Sequence, residues 1–435
     1  MTPRTFGRGP RRAVKSVLTV LLVASFVSGV FPVAAAWPPW AEDAEGGRGD
    51  IGITVEWLAE HRNDGDVAVV DVRPRSQYDT GHIPGAVHVD VEAASLDDGP
   101  SLLSRAGLSG DERIVFYGAA SMSERAALAF WMAEYWGATR ASVLEGGLAA
   151  WLASGGPTTA DAREPESAGW VTAARPERAA STAYVAVSFG VKGREVLDAR
   201  GWDDWSGEPR QQRTGHIPQS LPLASEAFLE SGVLMSPEAS REMLSRFGPR
   251  PSNPVDLSWE FIVHGEGARD GAVLYYLLRR AGVGRVRLYA DGWSAWVADA
   301  GLPVVRVVGA QELRERLARE RRWFAPESPP PGFAVFDVRH WSDYRRGHIP
   351  GSVNLTSRVF GDSLDIVMEK HWPDFDRLQD PIVTYCYGPD CIRSRATSTV
   401  AARRGFLVVE RLYEGLQGWR SIGAPVTAPL ESVGD

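Results

Sequence analysis

The chain has 435 residues, with 47 Lys and Arg against 55 Asp and Glu and a formal net charge of −8, and its apolar content is that of an ordinary globular protein. That balance excludes a nucleic-acid binder, which needs a basic stripe or a high isoelectric point. Its only two cysteines, Cys386 and Cys391, exclude a disulfide framework, so stability rests on packed cores, and the length fits two to four domains of about 100–200 residues.

The N-terminus reads as a processing segment. Arg4, Arg8, Arg11, Arg12 and Lys15 precede the apolar run Val17–Val33 and the small-residue site Ala34-Ala35-Ala36, the three-part form of a secretory signal over residues 1–36. Arg11-Arg12 raises twin-arginine export, and the length of the run raises an uncleaved anchor. No later apolar run is long enough to span a bilayer, so the expectation is an exported, periplasmic protein without a membrane span once the signal is removed.

Beyond that segment the sequence repeats itself three times. An apolar run ending in Asp-x-Arg occurs at Val69–Arg73, Val196–Arg200 and Val335–Arg339, and each is followed by Gly-His-Ile-Pro, at Gly81–Pro84, Gly215–Pro218 and Gly347–Pro350. The Asp-to-Gly offsets are 10, 17 and 10, so the second copy carries an insertion around Gly207–Gln212. A second apolar run leads into a loop at Gly118, Gly265 and Cys386, and helical patterns then close on Gly137, Gly282 and Gly405, as a C-terminal cap requires. Each copy ends in a strand and a glycine turn before a tryptophan: Leu144–Trp151, Leu288–Trp296 and Leu412–Trp419. Ala153–Ser181 reads as a linker, the junction near Gly301–Val308 as a tighter one, and Ser357–Leu378 as an excursion able to cover the active face of the third copy. Strands alternating with helices predict parallel α/β units, with the chemistry at the carboxyl ends of strands.

The loop at Cys386 is the only one of the three with a nucleophile. A buried strand ending at Tyr385 feeds a short loop and then a helix from Cys391 to Arg404, which aims backbone N–H groups and the positive end of the helix dipole at the thiol. That bias favours the thiolate, although a dipole contribution near about 1 kcal/mol amounts to less than one pKa unit. The first and third loops have equal length, 19 residues to the closing glycine, and both place an Arg seven residues on, Arg125 and Arg393. Gly118 and Gly265 offer no side chain for covalent chemistry, and Ser121, Ser123 and His264 lack a base-and-orienter arrangement. Cys391 reads equally as a resolving thiol or as a small filler in the first helical turn. His82, His216 and His348 read as turn buttresses rather than metal ligands, because no second ligand stands at metal-binding spacing.

Asp-x-Arg, Gly-His-Ile-Pro, the strand-loop-helix with cysteine and the closing Gly-x-x-x-Trp together resemble the rhodanese superfamily, including its three-domain bacterial thiosulfate sulfurtransferases. The resemblance implies three tandem α/β domains over residues 50–155, 180–302 and 303–430, each a doubly wound, mainly parallel five-stranded sheet flanked by helices. It also implies sulfur transfer through a persulfide on Cys386, with Tyr387, Gly388, Asp390, Cys391, Ile392 and Arg393 forming the substrate loop and no metal or other cofactor. The donor would be thiosulfate or a similar small sulfur-containing anion, and the acceptor a thiol, a protein thiol or cyanide. The first two domains would be inactive and would serve as walls, an interface or a docking surface. Thiosulfate enzymes of the family carry an Arg six residues after the first-motif Asp, a Lys two after the cysteine and a Gly three after it. Here those positions are Asp343, Gly388 and Pro389, leaving Arg345, Arg346, Arg393 or Arg395 to meet an anion. Alternatives are a dithiol-disulfide oxidoreductase using Cys386 and Cys391, a cysteine phosphatase, against which the Arg at seven rather than six residues counts, and a non-catalytic binding protein.

Overall fold

The computed structural model describes residues 51–162, 165–207, 213–249, 254–320 and 332–427. The signal segment 1–36 and most of the insertion around 207–212 lie outside the described residues.

The first module holds β1 (Gly52–Ile53), β2 (Val67–Asp71), β3 (Val87–His88), β4 (Arg113–Tyr117) and β5 (Ala141–Leu144), joined in the order β1-β5-β4-β2-β3 with every pairing parallel. The second module contributes β6 (Arg194–Asp198), β7 (Leu221–Pro222), the short antiparallel pair β8 (Leu229–Glu230) and β9 (Val233–Leu234), then β10 (Glu260–His264) and β11 (Val286–Leu288). The third holds β12 (Val304–Val308), β13 (Ala334–Asp337), β14 (Val353–Asn354), β15 (Ile382–Tyr385) and β16 (Val408–Leu412), in the order β12-β16-β15-β13-β14. The first and third sheets thus share one permutation. Their central strands are continuous apolar runs because helices cover both faces of a parallel sheet.

The second sheet departs from the expected five strands. Among the described residues it has four, β11-β10-β6-β7, and its fifth position is reduced to a single parallel bridge from Ala179 to Leu288. The 3₁₀ turn Pro176–Arg178 ends just before it and Ser181 caps the helix Thr182–Ser188 just after it, so too little extended chain remains for a strand.

Neighbouring modules are packed, not merely strung together. Helices Glu124–Tyr135 and Ala268–Arg280 lie against each other in one continuous core. Across that contact Glu134 accepts from Arg279 at 2.9 Å and from the Tyr275 hydroxyl at 2.6 Å. Between the second and third modules His216 pairs with Val305 of β12, so a strand of the third sheet also closes the second module. In the excursion after Ser357 the helix Phe360–His371 buries Phe360, Leu364 and Met368, and Trp372 packs 5.4 Å from Phe336. Those side chains share the core cluster that contains Cys386, because the apolar stripe of the helix must face the sheet.

Candidate active site

The first motif ties strand to turn in the same way three times. Arg73, Arg200 and Arg339 grip Asp71, Asp198 and Asp337 at 2.6, 2.7 and 2.6 Å. Each guanidinium also donates to the carbonyl of the following motif glycine, Gly81, Gly215 or Gly347, at 2.7–2.8 Å. The motif histidines stack on Tyr78, Trp205 and Tyr344 with ring centroids 3.8, 3.9 and 3.7 Å apart, and each Nδ1 lies within hydrogen-bond distance of that same residue's carbonyl. Burial pushes the His216 pKa down to about 3 against the modest help of the Trp205 carbonyl, which keeps the ring neutral. These groups form the buttress read from the sequence.

The frame of the loop after the second apolar strand is equally regular. The carbonyls of Gly118, Gly265 and Cys386 each accept from the closing turn, from Leu148, Trp293 and Leu416, at 2.9 Å. That turn runs through Gly147, Gly292 and Gly415, all at positive φ, where an added Cβ would come 2.6 Å from a loop carbonyl oxygen. Only glycine meets both demands. In the first and third modules a tyrosine hydroxyl at the strand end accepts the motif Ile N–H, Tyr117 from Ile83 at 3.1 Å and Tyr385 from Ile349 at 3.0 Å. His264 takes that place in the second module, 3.5 Å from Asp198.

Inside each loop the residue five positions on is turned back at the first. A Cβ built on Gly118 would collide with Ser123 Oγ, and one on Gly265 with the Asp270 carboxylate. Ser123 and Asp270 are at the same time satisfying amides, from Ala126, and from Glu266 and Gly267. In the third module the pair is Cys386 and Cys391, joined by a disulfide. The alternatives left open for Cys391 therefore narrow to a side chain bonded to the candidate nucleophile.

Cys386 is 0% exposed, and Cys391 is half-buried as the N-cap of helix Ile392–Arg403, whose first turn receives no side-chain cap. Gly388 is buried, and a side chain there would meet Gln417 Oε1 at 2.8 Å. Asp390 is exposed, Ile392 is half-buried in the first helical turn, and Arg393 is exposed with its guanidinium 5.9 Å from the Tyr387 ring. Tyr387, 42% exposed, lies with Arg339 at 5.6 Å from its ring and donates its hydroxyl to Asp343 at 2.5 Å.

The cations proposed from sequence to meet an anion separate in space. Arg395 turns inward to Glu195 of the second module at 2.5 Å and to the Gln219 carbonyl, so it does not serve the loop. Arg346 pairs with Asp343 at 3.2 Å, and Arg345 lies 5.7 Å from the Trp341 ring. Arg125, the first-module counterpart of Arg393, is neutralised by Glu92 and Asp90, whereas among the described residues Arg393 forms no carboxylate pair. Sequence reading missed buried Arg411. Its Nε donates to Ser394 Oγ at 3.1 Å, and burial, then nearby Arg395, push its pKa down to about 10. Only its place in the last strand of the repeat marked it.

The Rhodanese-like domain family matches the chain three times, over residues 54–154, 185–299 and 311–422. The chain is 28% identical over 278 residues to the 3-mercaptopyruvate sulfurtransferase of Escherichia coli (strain K12), spanning 58% of this chain and 96% of that protein. It is 26% identical over 283 residues to the sulfur carrier protein TtuD of Thermus thermophilus, spanning 59% and 97%. The solved structure of YnjE superposes with a TM-score of 0.51 at 17% identity, covering 59% of this chain and 68% of that one, a likeness of fold. The three matches fall on the three repeats that share the Asp-Arg clamp and loop frame, and the chain belongs to the rhodanese family, with three tandem copies of its domain.

Proposed function

We propose that this chain is a sulfurtransferase in which the Cys386 thiolate attacks the outer sulfur of an anionic sulfane donor such as thiosulfate, expels sulfite and becomes a persulfide. A thiol, or cyanide in an assay, then removes the outer sulfur. The observation that carries the reading is the asymmetry of three equivalent loops: Cys386 stands where the other two have glycine, before a helix with no side-chain cap and beside an Arg393 that no carboxylate neutralises among the described residues. Loop amides, helix dipole and that guanidinium favour both thiolate and persulfide anions. The relatives named sulfurtransferases point the same way, and they make 3-mercaptopyruvate a donor to test beside thiosulfate. The basic, apolar and small-residue order of residues 4–36 supports export to the periplasm, testable by sequencing the N-terminus of the protein recovered from cell fractions.

The test is intact mass and released sulfide after reduced protein meets a panel of sulfane donors. One sulfur taken up per protein, either retained and removable by cyanide or released as sulfide, and absent from Cys386→Ser, is expected. Neither an adduct nor sulfide with any donor overturns the reading. The Cys386–Cys391 disulfide favours a second reading, dithiol-disulfide exchange, which predicts that Cys391→Ala abolishes turnover and that no thiocyanate forms. Sulfur transfer predicts that this variant still forms thiocyanate.

A further inference from the structure

We infer that Cys391 resolves the Cys386 persulfide from within the loop, so that without an outside acceptor at hand the third module releases sulfide and closes a disulfide. The inference rests on the persulfide reading above and adds the fate of its sulfur.

Three observations support it. First, the approach of the fifth residue on the first is built into the loop frame, since Ser123 is aimed at Gly118 and Asp270 at Gly265 in modules where no disulfide exists. The frame turns the fifth side chain towards the first position in all three modules. Second, Cys386 is fully buried while Cys391 is half-buried, so the thiol already in place has the advantage over an acceptor diffusing in, by the usual gain of an intramolecular reaction. Third, the two cysteines are bonded to each other in this structure, which is the product the step predicts.

The chemistry balances. Cys386 carries S–S⁻ after loading. The Cys391 sulfur attacks the inner sulfur, Sγ of Cys386, forming the Cys386–Cys391 bond and breaking the Sγ–S bond. The outer sulfur leaves with that electron pair and the Cys391 proton as HS⁻. The sulfane sulfur is reduced to sulfide while two thiols become one disulfide. A dithiol reductant then restores both thiols. It meets the more exposed Cys391 first and expels Cys386 as the thiolate. The reaction class served is a dithiol-driven reduction of sulfane sulfur to sulfide.

The experiment uses the full chain, reduced, freed of reductant and kept anaerobic, with thiosulfate and 3-mercaptopyruvate as separate donors. Wild type is expected to release one sulfide per protein and to end at the mass of the disulfide form. Cys391→Ser, whose new residue matches Ser123 of the first module, is expected to retain one added sulfur and to release at least about tenfold less sulfide. Cyanide should convert that retained sulfur to thiocyanate, which shows that the variant is folded and loaded. A wild type that holds the added sulfur without releasing sulfide overturns the resolving role while leaving sulfur transfer intact. Failure of both proteins to take up sulfur from either donor overturns the sulfur-transfer reading and this step with it.

Discussion

The Tyr387 hydroxyl donates to Asp343 Oδ2 across 2.5 Å, fastening the residue after the candidate nucleophile to the helix that follows the first motif. The Tyr387 hydrogen bond, aided by Arg346 and Arg339, holds the Asp343 carboxyl below the usual carboxylate range. It is therefore ionised at neutral pH and presents a negative charge to the same loop that Arg393 serves. Exposed charges at this range contribute about 0.5–1 kcal/mol, so Asp343→Asn should raise kcat/KM for thiosulfate about two- to fivefold, and the gain should shrink as salt rises. Stopped-flow loading at two ionic strengths checks it. An unchanged rate at low salt would show that Asp343 does not oppose the donor.

Gly415 is a point where fold and site meet. A Cβ there would come 2.6 Å from the Cys386 carbonyl oxygen and 2.7 Å from the Gly388 nitrogen, at a φ of +59°. Backbone atoms cannot swing aside as side-chain ends do, so Gly415→Ala must move the loop. A loss of about 1–3 kcal/mol in stability and of at least about tenfold in kcat/KM is expected. The control is Gly423→Ala, also at positive φ but with nothing within 4 Å. It should reproduce the backbone strain without the loss of activity, and equal losses in both variants would disconnect Gly415 from the loop.

The repeat made most of this fold legible. Asp-x-Arg and Gly-His-Ile-Pro are strand-end and turn chemistry written in consecutive residues, so local reading found them, and the cap glycines marked the helix ends. The missing strand of the second sheet was not legible, because whether Ala179 extends depends on how a 3₁₀ turn and a capped helix share a few residues. Which sheet face the apolar stripe of helix Phe360–His371 meets was likewise not legible, because an insertion read linearly carries no statement of it. Arg395 was misplaced for the same reason: its partner Glu195 lies two hundred residues away in sequence. The relation of Cys391 to Cys386 stayed ambiguous until the identical approach in the other two loops showed which way the fifth residue points.

That approach gives a prediction in the first module. Gly118→Ala forces a methyl onto Ser123 Oγ, which is also the cap of the following helix. Overpacking of this kind costs about 1–3 kcal/mol. Ser123→Gly alone loses only the cap, about a few tenths of a kcal/mol. The double variant should recover most of the Gly118→Ala loss, giving a coupling energy of at least about 1 kcal/mol in a double-mutant cycle. Urea unfolding of the four proteins measures it. Additive losses would mean that Ser123 swings away freely and that the back-turned fifth residue is not fixed by the frame.

Glu134 links the first two modules and carries a pH dependence whose sign can be worked out. Burial alone would raise its carboxyl pKa, but Arg279 and Arg178 outweigh it and bring the value down to about 2 from 4.5. A carboxylate whose folded pKa is depressed adds stability that is fully present above the unfolded pKa and is lost as pH falls through the folded one. The window here runs from about pH 4.5 down to about pH 2, and the difference corresponds to roughly 3 kcal/mol. Glu134→Gln keeps a partner for the Tyr275 hydroxyl but leaves Arg279 buried without its countercharge. At pH 7 that should cost about 3–5 kcal/mol, read as faster hydrogen exchange in helices Glu124–Tyr135 and Ala268–Arg280. As pH falls from about 4.5 towards 2 the wild type loses the same contribution by protonation, so the two proteins should converge. A gap that stays constant across that range would place the stability of the contact in packing and not in this charge pair.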